Sequence, residues 1–183
     1  MSDSCAVAHG GAGGGGGERT LVVVFAGAVG EYLLRYGADL GYRTVLVEPE
    51  RGRVSDTSAH EVRTAVPRDL AGGADVVVTD HHRAELGPVV RDALAAAGAR
   101  VGVMGNPSHP APHVEALRGL GVPESDIARV RRPIGLNIGS RTPPEIAIAT
   151  LAGLVAERTG RPGGFDFATP AAVDSRATRG VTS

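Results

Sequence analysis

The sequence predicts an α/β protein with a Rossmann-like, doubly wound and mostly parallel sheet of about six strands, with helices on both faces. Short apolar segments alternate with helical segments across short loops, which is the pattern of a parallel sheet. The runs at residues 20–25 and 74–79 are almost continuously apolar, as strands buried on both faces require. A glycine turn, Gly27 to Gly30, joins the first strand to the first helix.

Strands and helices follow one another in regular order along the chain. The predicted strands lie at residues 20–25, 43–47, 62–66, 74–79, 100–104 and 132–136. The predicted helices lie at residues 28–40, 86–97, 112–120, 124–130 and 145–158. Right-handed crossovers would bring every ligand-facing loop to the carboxyl ends of the strands.

The last helix has a well-defined start. Thr142 occupies the N-cap position, Pro143 the first helical position and Glu145 the third, which together form a capping box. Glycines precede this start at Gly135 and Gly139, and glycines beside a helix N-terminus suit an anion. The segment is therefore either a capped final helix or part of a ligand site.

Composition divides the chain into one domain and two tails. Residues 1–18 include five consecutive glycines and form a flexible tail, because they cannot bury enough apolar surface to offset chain entropy. Residues 19–160 form the nucleotide-binding domain. Residues 161–183 form a second tail, in which Phe165 and Phe167 could dock on the body or on a partner subunit.

Charge and residue usage exclude several function classes. The formal net charge of −1 gives no broad attraction to nucleic acid or to an anionic membrane. All 19 basic residues are arginine, so a Walker-type phosphate loop and lysine catalysis are excluded. The single cysteine, Cys5, excludes disulfides, cysteine-based zinc sites and iron–sulfur clusters within the fold. We expect a cytoplasmic protein, because no apolar run is long enough to span a membrane.

The first candidate site is the turn after the first strand. In a dinucleotide fingerprint, glycines permit a tight turn, the approach of a pyrophosphate and close helix packing. Gly27 and Gly30 match the last two of these glycines, which places Ala28 and Val29 beside the cofactor. Glu48, 18 residues after Gly30, could accept the ribose hydroxyls and favours NAD over NADP. Arg51 and Arg53 follow closely and could instead hold the 2′-phosphate of NADP. Alternatively, the turn only packs a helix on a strand.

The second candidate site follows the fourth strand, at Thr79, Asp80, His81 and His82. Histidines beside an aspartate at a strand end can act as general acid or base, so we assign catalysis to His81 first, with Asp80 and His82. Thr79 is assigned to the cofactor. No metal site is predicted. His109 and His113 are four residues apart, as two metal ligands on a helix would be, but Pro110 and Pro112 prevent a helix there.

Four segments together resemble a known family. They are residues 133–147, the strand and turn from Val22 to Gly30 with Glu48 beyond, residues 101–105, and residues 117–124. This combination is similar to the Rossmann domain of the xanthine-dehydrogenase accessory (XdhC/CoxI-type) family, over roughly residues 20–160. The resemblance implies an accessory protein that binds the molybdopterin cofactor and interacts with a molybdenum hydroxylase. It adds Gly105, Asn106, Gly135 and Asn137 to the cofactor-binding residues.

The chain departs from that family at several of these positions. Phe25 stands where the family has glycine, and Ala28 stands where it has histidine. Asp80 and His81 are exchanged in order, and the neutral residues 106–108 replace a basic Ser-Arg-Arg or Ser-Arg-Lys run. Asn137 replaces aspartate. The N-terminal domain of full-length members is also absent from this sequence.

These departures favour a specialised enzyme. We expect an NAD(P)-dependent oxidoreductase that acts on a small-molecule substrate. The alternatives are an accessory role in molybdenum-hydroxylase maturation and a non-catalytic nucleotide-binding module. Because a single Rossmann unit leaves its crevice open to water, we also expect a homodimer that covers it. The segments available for the interface are residues 106–113, residues 133–142 and the tail at Phe165 and Phe167.

Overall fold

The structure is a computed structural model that describes residues 19–70, 73–106 and 108–164. The predicted tail at residues 1–18 and the docking of Phe165 and Phe167 lie outside the described residues. The strands are β1 (Thr20–Val24), β2 (Arg43–Val47), β3 (Glu61–Arg63), β4 (Ala74–Val78) and β5 (Ala99–Val103). The helices are α1 (Ala28–Asp39), α2 (Leu86–Ala95), α3 (Pro112–Gly119), α4 (Glu124–Ile127) and α5 (Pro143–Arg158).

The five strands form one parallel sheet in the order β3-β2-β1-β4-β5. The chain therefore grows outward from β1 in both directions, and the predicted α/β class with a doubly wound parallel sheet is confirmed. The reversal lies between β1 and β4, where the loops after these strands diverge to opposite faces. In open α/β sheets, this is where ligands bind.

The predicted sixth strand at residues 132–136 is wrong. Arg131 makes a single parallel bridge with Gly102, in which its N–H donates to Val101 O at 2.9 Å and its carbonyl accepts from Val103 N at 2.9 Å. Pairing stops there because Pro133 has no N–H to donate and Gly135 turns the chain with φ of 103°. The third strand is also shorter than the predicted residues 62–66, and ends at Arg63.

The central strands β1 and β4 are buried on both faces, as their apolar sequences predict. Alternate residues of each strand point into two separate apolar clusters. One cluster joins Val22 and Val76 to α2 and α3, and the other joins Val23 and Val77 to α1 and α5. The sheet therefore separates two helical layers, and the loops at its carboxyl edge are held from both sides.

Candidate functional site

The turn after β1 replaces a flexible glycine with a buried aromatic side chain. Phe25 has φ of 72°, a left-handed conformation that costs an ordinary residue about 1–2 kcal/mol. The ring is fully buried, and its backbone N–H donates to Val47 O at 2.9 Å. The Arg83 guanidinium lies over the ring, with Cζ 4.5 Å from the ring centroid. Packing therefore holds Phe25 in the conformation that a glycine would adopt freely.

The two glycines of the turn have different surroundings. A Cβ on Gly30 would lie 3.2 Å from Val23 Cγ1 and 3.3 Å from Phe25 O, so Gly30 allows close packing of α1 on β1. A Cβ on Gly27 would meet nothing within 4 Å. Gly27 is also the N-cap of α1 and provides no side-chain cap for the first-turn amides. The N-terminus of α1, including Ala28 and Val29, is thus open to an anionic group.

A cavity of about 280 Å³ lies beside this turn. Leu34 and Leu46 form part of its apolar wall, and Glu31 and Arg53 contribute charged side chains. The Glu31 carboxylate already accepts from Thr57 Oγ1 at 3.1 Å and from Ser58 N at 3.0 Å, which fixes the loop after β2 over α1. The cavity therefore has an ordered wall next to the open helix N-terminus.

Glu48, the predicted ribose ligand, is held within the protein. Its side chain is 0% exposed, and Oε1 accepts from Glu50 N at 3.1 Å and from Arg83 Nη2 at 2.8 Å. Oε2 accepts from Ala26 N at 3.0 Å and from Arg83 Nη1 at 3.3 Å. Burial acts to raise the pKa of Glu48, but the hydrogen bonds from Arg83 and the two amides outweigh it and lower the pKa. Glu48 is thus an ionised carboxylate with both oxygens occupied.

The residues after β4 belong to the loop that joins this strand to α2. Thr79 Oγ1 donates to the carbonyls of Val24 at 2.9 Å and Phe25 at 3.0 Å, so its hydroxyl supports the turn after β1. Asp80 Oδ1 accepts from His82 N at 2.9 Å. The rings of His81 and His82 contact each other in a tilted arrangement, with centroids 4.1 Å apart and an interplanar angle of 40°. A catalytic role for Asp80, His81 and His82 stays a prediction.

Arg132 is a site residue that the sequence analysis did not identify. Its Nη1 donates to His109 O and its Nη2 donates to Asn106 O, both at 3.2 Å. A Cβ on Gly105 would lie 2.7 Å from Nε and from Nη2, so the guanidinium rests directly on the backbone after β5. Residues 105–108 include no basic side chain, and Arg132, which is distant in sequence, brings a positive charge to this loop. The sequence signal was Arg132 itself, next to Pro133 and directly after the residue that bridges to β5.

His113 lies buried in the first turn of α3, 3% exposed. Its Nδ1 finds no hydrogen-bond partner within the described part of the chain. Burial lowers the pKa of His113, and the charges of Arg132 and His81 lower it further. The pKa of His81 is lowered in the same way, first by burial and then by His82 and Arg132. Both imidazoles are therefore neutral near pH 7.

The predicted ligand residues Gly135 and Asn137 lie on the segment before α5. A Cβ on Gly135 would lie 3.0 Å from Thr150 Cα, and a Cβ on Gly153 would lie 2.8 Å from Gly135 Cα. Leu136 N also donates to Ala149 O at 3.0 Å. Gly135 thus permits a close backbone contact with α5. Asn137 is exposed, and contact of either residue with a cofactor stays a prediction.

The start of α5 forms the predicted capping box. The Glu145 carboxylate accepts from Thr142 N at 3.0 Å, and backbone hydrogen bonds from Arg141 and Thr142 lower its pKa.

Across the described ranges, no three His, Cys, Asp or Glu side chains are arranged to hold a metal ion. In that same part of the chain, no helix is long and apolar enough to cross a membrane.

Comparisons with known proteins agree with this architecture. A crystal structure described as a xanthine dehydrogenase from Bacillus halodurans matches with a TM-score of 0.60 at 20% identity, over 79% of this chain and 44% of that one. At that identity, the match shows the fold alone. An uncharacterized protein, YqeB, of Escherichia coli (strain K12) is 49% identical over 49 residues, which are 27% of this chain and 9% of YqeB. The chain therefore spans less than half the length of either protein.

None of these matches supports the NAD(P)-dependent oxidoreductase that the sequence analysis preferred. The family model of the XdhC Rossmann domain matches residues 21–154. This range includes β1 except for Thr20, the other four strands and most of α5. Since this match covers well over half of the 183 residues, the chain belongs to the XdhC Rossmann-domain family.

Proposed function

We propose that this chain acts in the maturation of a molybdenum hydroxylase, as an accessory protein that binds the molybdopterin cofactor at the carboxyl edge of its sheet. Membership of the XdhC family supports this role. The observation that carries the choice over a dinucleotide-dependent enzyme is the state of Glu48. Both oxygens of this carboxylate are taken by groups of the protein itself.

In a Rossmann site for NAD, a carboxylate at the end of the second strand accepts the ribose hydroxyls, whereas a site for NADP places an arginine near the 2′-phosphate. Glu48 stands at that position but is fully buried beneath Arg83. Turning it toward a ribose would break two hydrogen bonds from Arg83 and two from backbone amides. Leaving such buried groups unpaired costs about 1–3 kcal/mol each. The cost of freeing Glu48 therefore supports a ligand other than NAD at this edge.

An anionic cofactor without an adenosine still fits the turn. The first-turn amides of α1 lack a side-chain cap, and the space over Gly27 is open. A phosphate is stabilised at such a helix end by N–H donors and by the helix dipole. Molybdopterin carries a phosphate on a compact ring system, and the adjacent cavity of about 280 Å³ has space for part of such a body. Gly27, Ala28 and Val29 would hold the phosphate.

A binding titration tests the proposal directly. Purified protein would be titrated under anaerobic conditions with molybdopterin, NADH and NADPH, and binding measured by calorimetry. We expect saturable binding of molybdopterin and no saturation by either nicotinamide cofactor. Gly27→Val should abolish the molybdopterin signal, because its side chain fills the space over the helix N-terminus.

The reverse result would restore the enzyme hypothesis. If NADH bound saturably and Glu48→Gln removed that binding, Glu48 would be a ribose ligand and the accessory role would lose its structural support. A second measurement concerns the partner: a purified molybdenum hydroxylase that lacks its cofactor should gain activity when this protein is added loaded with molybdopterin that carries molybdenum. Equal gain from the same molybdenum-bearing cofactor free in solution at the same concentration would contradict an accessory role.

A further inference from the structure

We propose that Arg132, His113 and His81 form a binding site for a tetrahedral oxyanion at the carboxyl ends of β4 and β5. This site is separate from the Gly27 turn and does not depend on the proposed function. Its ligand class is phosphate, a phosphate monoester or an oxyanion of the same shape, such as molybdate.

The first support is the position of Arg132. Its guanidinium lies on the backbone at Gly105. Nη1 and Nη2 each donate one hydrogen bond to a backbone carbonyl, of His109 and Asn106 respectively. These carbonyls orient the group but carry no charge to neutralise it. Within the described ranges, no carboxylate lies within ion-pair distance of Arg132, whereas Arg83 has two such partners and Arg131 has one. Its Nε is buried and has no acceptor there. Arg132 is thus an oriented cation with donors left over.

The second support is the orphan nitrogen of His113. This side chain is 97% buried, and its Nδ1 has no partner among the described residues. Buried polar atoms in native proteins almost always have a hydrogen-bond partner, so an unpaired one needs an explanation. Arg132 and His81 both lie close enough for their charges to lower the pKa of His113. An anion between these groups would satisfy the orphan atom and the cation together.

The third support is the topology of the sheet. Val78 and Val103 are register partners at the ends of β4 and β5, and Met104 N donates to Val78 O at 2.9 Å. The loops that carry His81 and Gly105 therefore leave the sheet side by side. Arg132 directly follows Arg131, which forms a parallel bridge with Gly102 of β5. Three segments distant in sequence thus bring their polar groups to one edge.

The chemistry of these groups favours an oxyanion over a metal ion. A guanidinium repels a cation, and it donates to phosphate oxygens through charge-assisted hydrogen bonds. Burial and neighbouring positive charge keep both imidazoles neutral in the free protein. A bound dianion would reverse that effect and allow the rings to donate. Asp80 is the nearest acid in sequence, and its Oδ1 is already bonded to the His82 amide.

Inorganic phosphate and molybdate are the probes for the test. Binding would be followed by calorimetry at low ionic strength, and by NMR of the histidine ring nitrogens at pH 7. We expect saturable binding and shifts in the ring signals of His81 and His113. Arg132→Gln should weaken binding about tenfold or more, since a charge-assisted hydrogen bond contributes about 1.5–3 kcal/mol. His113→Gln should weaken binding without removing it.

Arg131→Gln is the matched control. Arg131 is adjacent in sequence and pairs with Glu157 on the surface, so its loss changes the net charge equally. It should bind phosphate as the parent does. Equal weakening in both arginine variants would reduce the effect to net charge and overturn the proposal. Thermal unfolding of each variant checks that the fold is retained, and His81→Gln tests the site without altering the Arg132 contacts.

The Gly27→Val variant separates this site from the proposed function. If it loses molybdopterin but keeps phosphate, the two sites are distinct. If it loses phosphate while Arg132→Gln keeps it, the anion binds at the N-terminus of α1 and the proposal fails, with the proposed function untouched. A phosphate monoester that binds where inorganic phosphate does not would identify the ligand as a larger molecule. Binding of molybdate alone would identify the ligand as the free metal oxyanion.

Discussion

Arg83 covers Glu48 at the carboxyl edge of the sheet, with Nη2 2.8 Å from Oε1 and the same guanidinium stacked on the Phe25 ring. The pair joins the loop after β4 to the end of β2, across the strand between them. Hydrogen bonding to Glu48 raises the pKa of Arg83, so both groups stay charged over the whole physiological range. Because of this pair, the Glu48 carboxylate stabilises the fold and is not free to bind a ligand.

Arg83→Met should lower the free energy of unfolding by about 3 kcal/mol at pH 7, because it leaves a buried carboxylate unpaired. The measurement is urea denaturation followed by circular dichroism. In the parent, the lowered pKa of Glu48 contributes stability that is present above the ordinary glutamate pKa and is lost as pH falls through the folded value. The difference between parent and variant should therefore shrink near pH 4.

Glu48→Gln supplies the control for this prediction. The double variant with Arg83→Met should be less destabilised than the sum of the two single variants, since each single change already breaks the pair. Strict additivity would mean that the two side chains are not coupled in solution.

Valine should destabilise the protein more at Gly30 than at Gly27. Gly30→Val should cost about 1–3 kcal/mol of stability, because its side chain would press on Val23 and on Phe25 O. Gly27→Val should cost at most about 1 kcal/mol, as a change of N-cap residue with open space around it. Urea denaturation of both variants checks this contrast. A loss at Gly27 as large as that at Gly30 would contradict an open turn.

The sequence predicted the fold because its parallel strands carry continuous apolar runs, and the capping box at Thr142 and Glu145 predicted the start of α5. It overestimated the strand count because the residues after Arg131 look apolar, although Pro133 cannot donate to a ladder. The local sequence pattern also cannot show that Arg83 donates hydrogen bonds to both carboxylate oxygens of Glu48. That contact depends on a loop 35 residues away. Arg132 was missed for the same reason, since its partners Asn106 and His109 belong to another loop.

His113 should make the protein sensitive to mild acid. Its folded pKa lies below the ordinary histidine value of about 6.5, so the unfolded chain takes up its proton first. Stability should be constant above that pH, then fall as pH decreases from about 6.5 toward the folded pKa. His113→Gln should flatten this part of the stability curve, measured by urea denaturation between pH 7 and pH 5. His109→Gln is the control and should keep the parent's slope, because its side chain is exposed and is not among the causes that lower the pKa of His113 or of His81.

The same acid sensitivity should respond to Arg132. Its positive charge is one of the causes that lower the pKa of His113, with burial first and His81 third. Arg132→Gln should therefore reduce the acid loss of stability between pH 7 and pH 5, because the folded pKa of His113 then lies closer to its unfolded value. An unchanged or larger loss would mean that Arg132 is not close to the imidazole.

We expect a homodimer whose interface includes the segment at residues 133–142. Ile138 of this segment is 56% exposed, and Leu136 lines an adjoining apolar cavity of about 810 Å³ with Leu40 and Ile148. Exposed apolar surface of this kind favours association. Ile138→Arg should shift the protein toward monomer at micromolar concentration, as measured by light scattering. Leu120→Arg changes a residue that is 41% exposed at the end of α3, so it should leave the dimer intact. A monomeric parent with full ligand binding would show that no second subunit is needed.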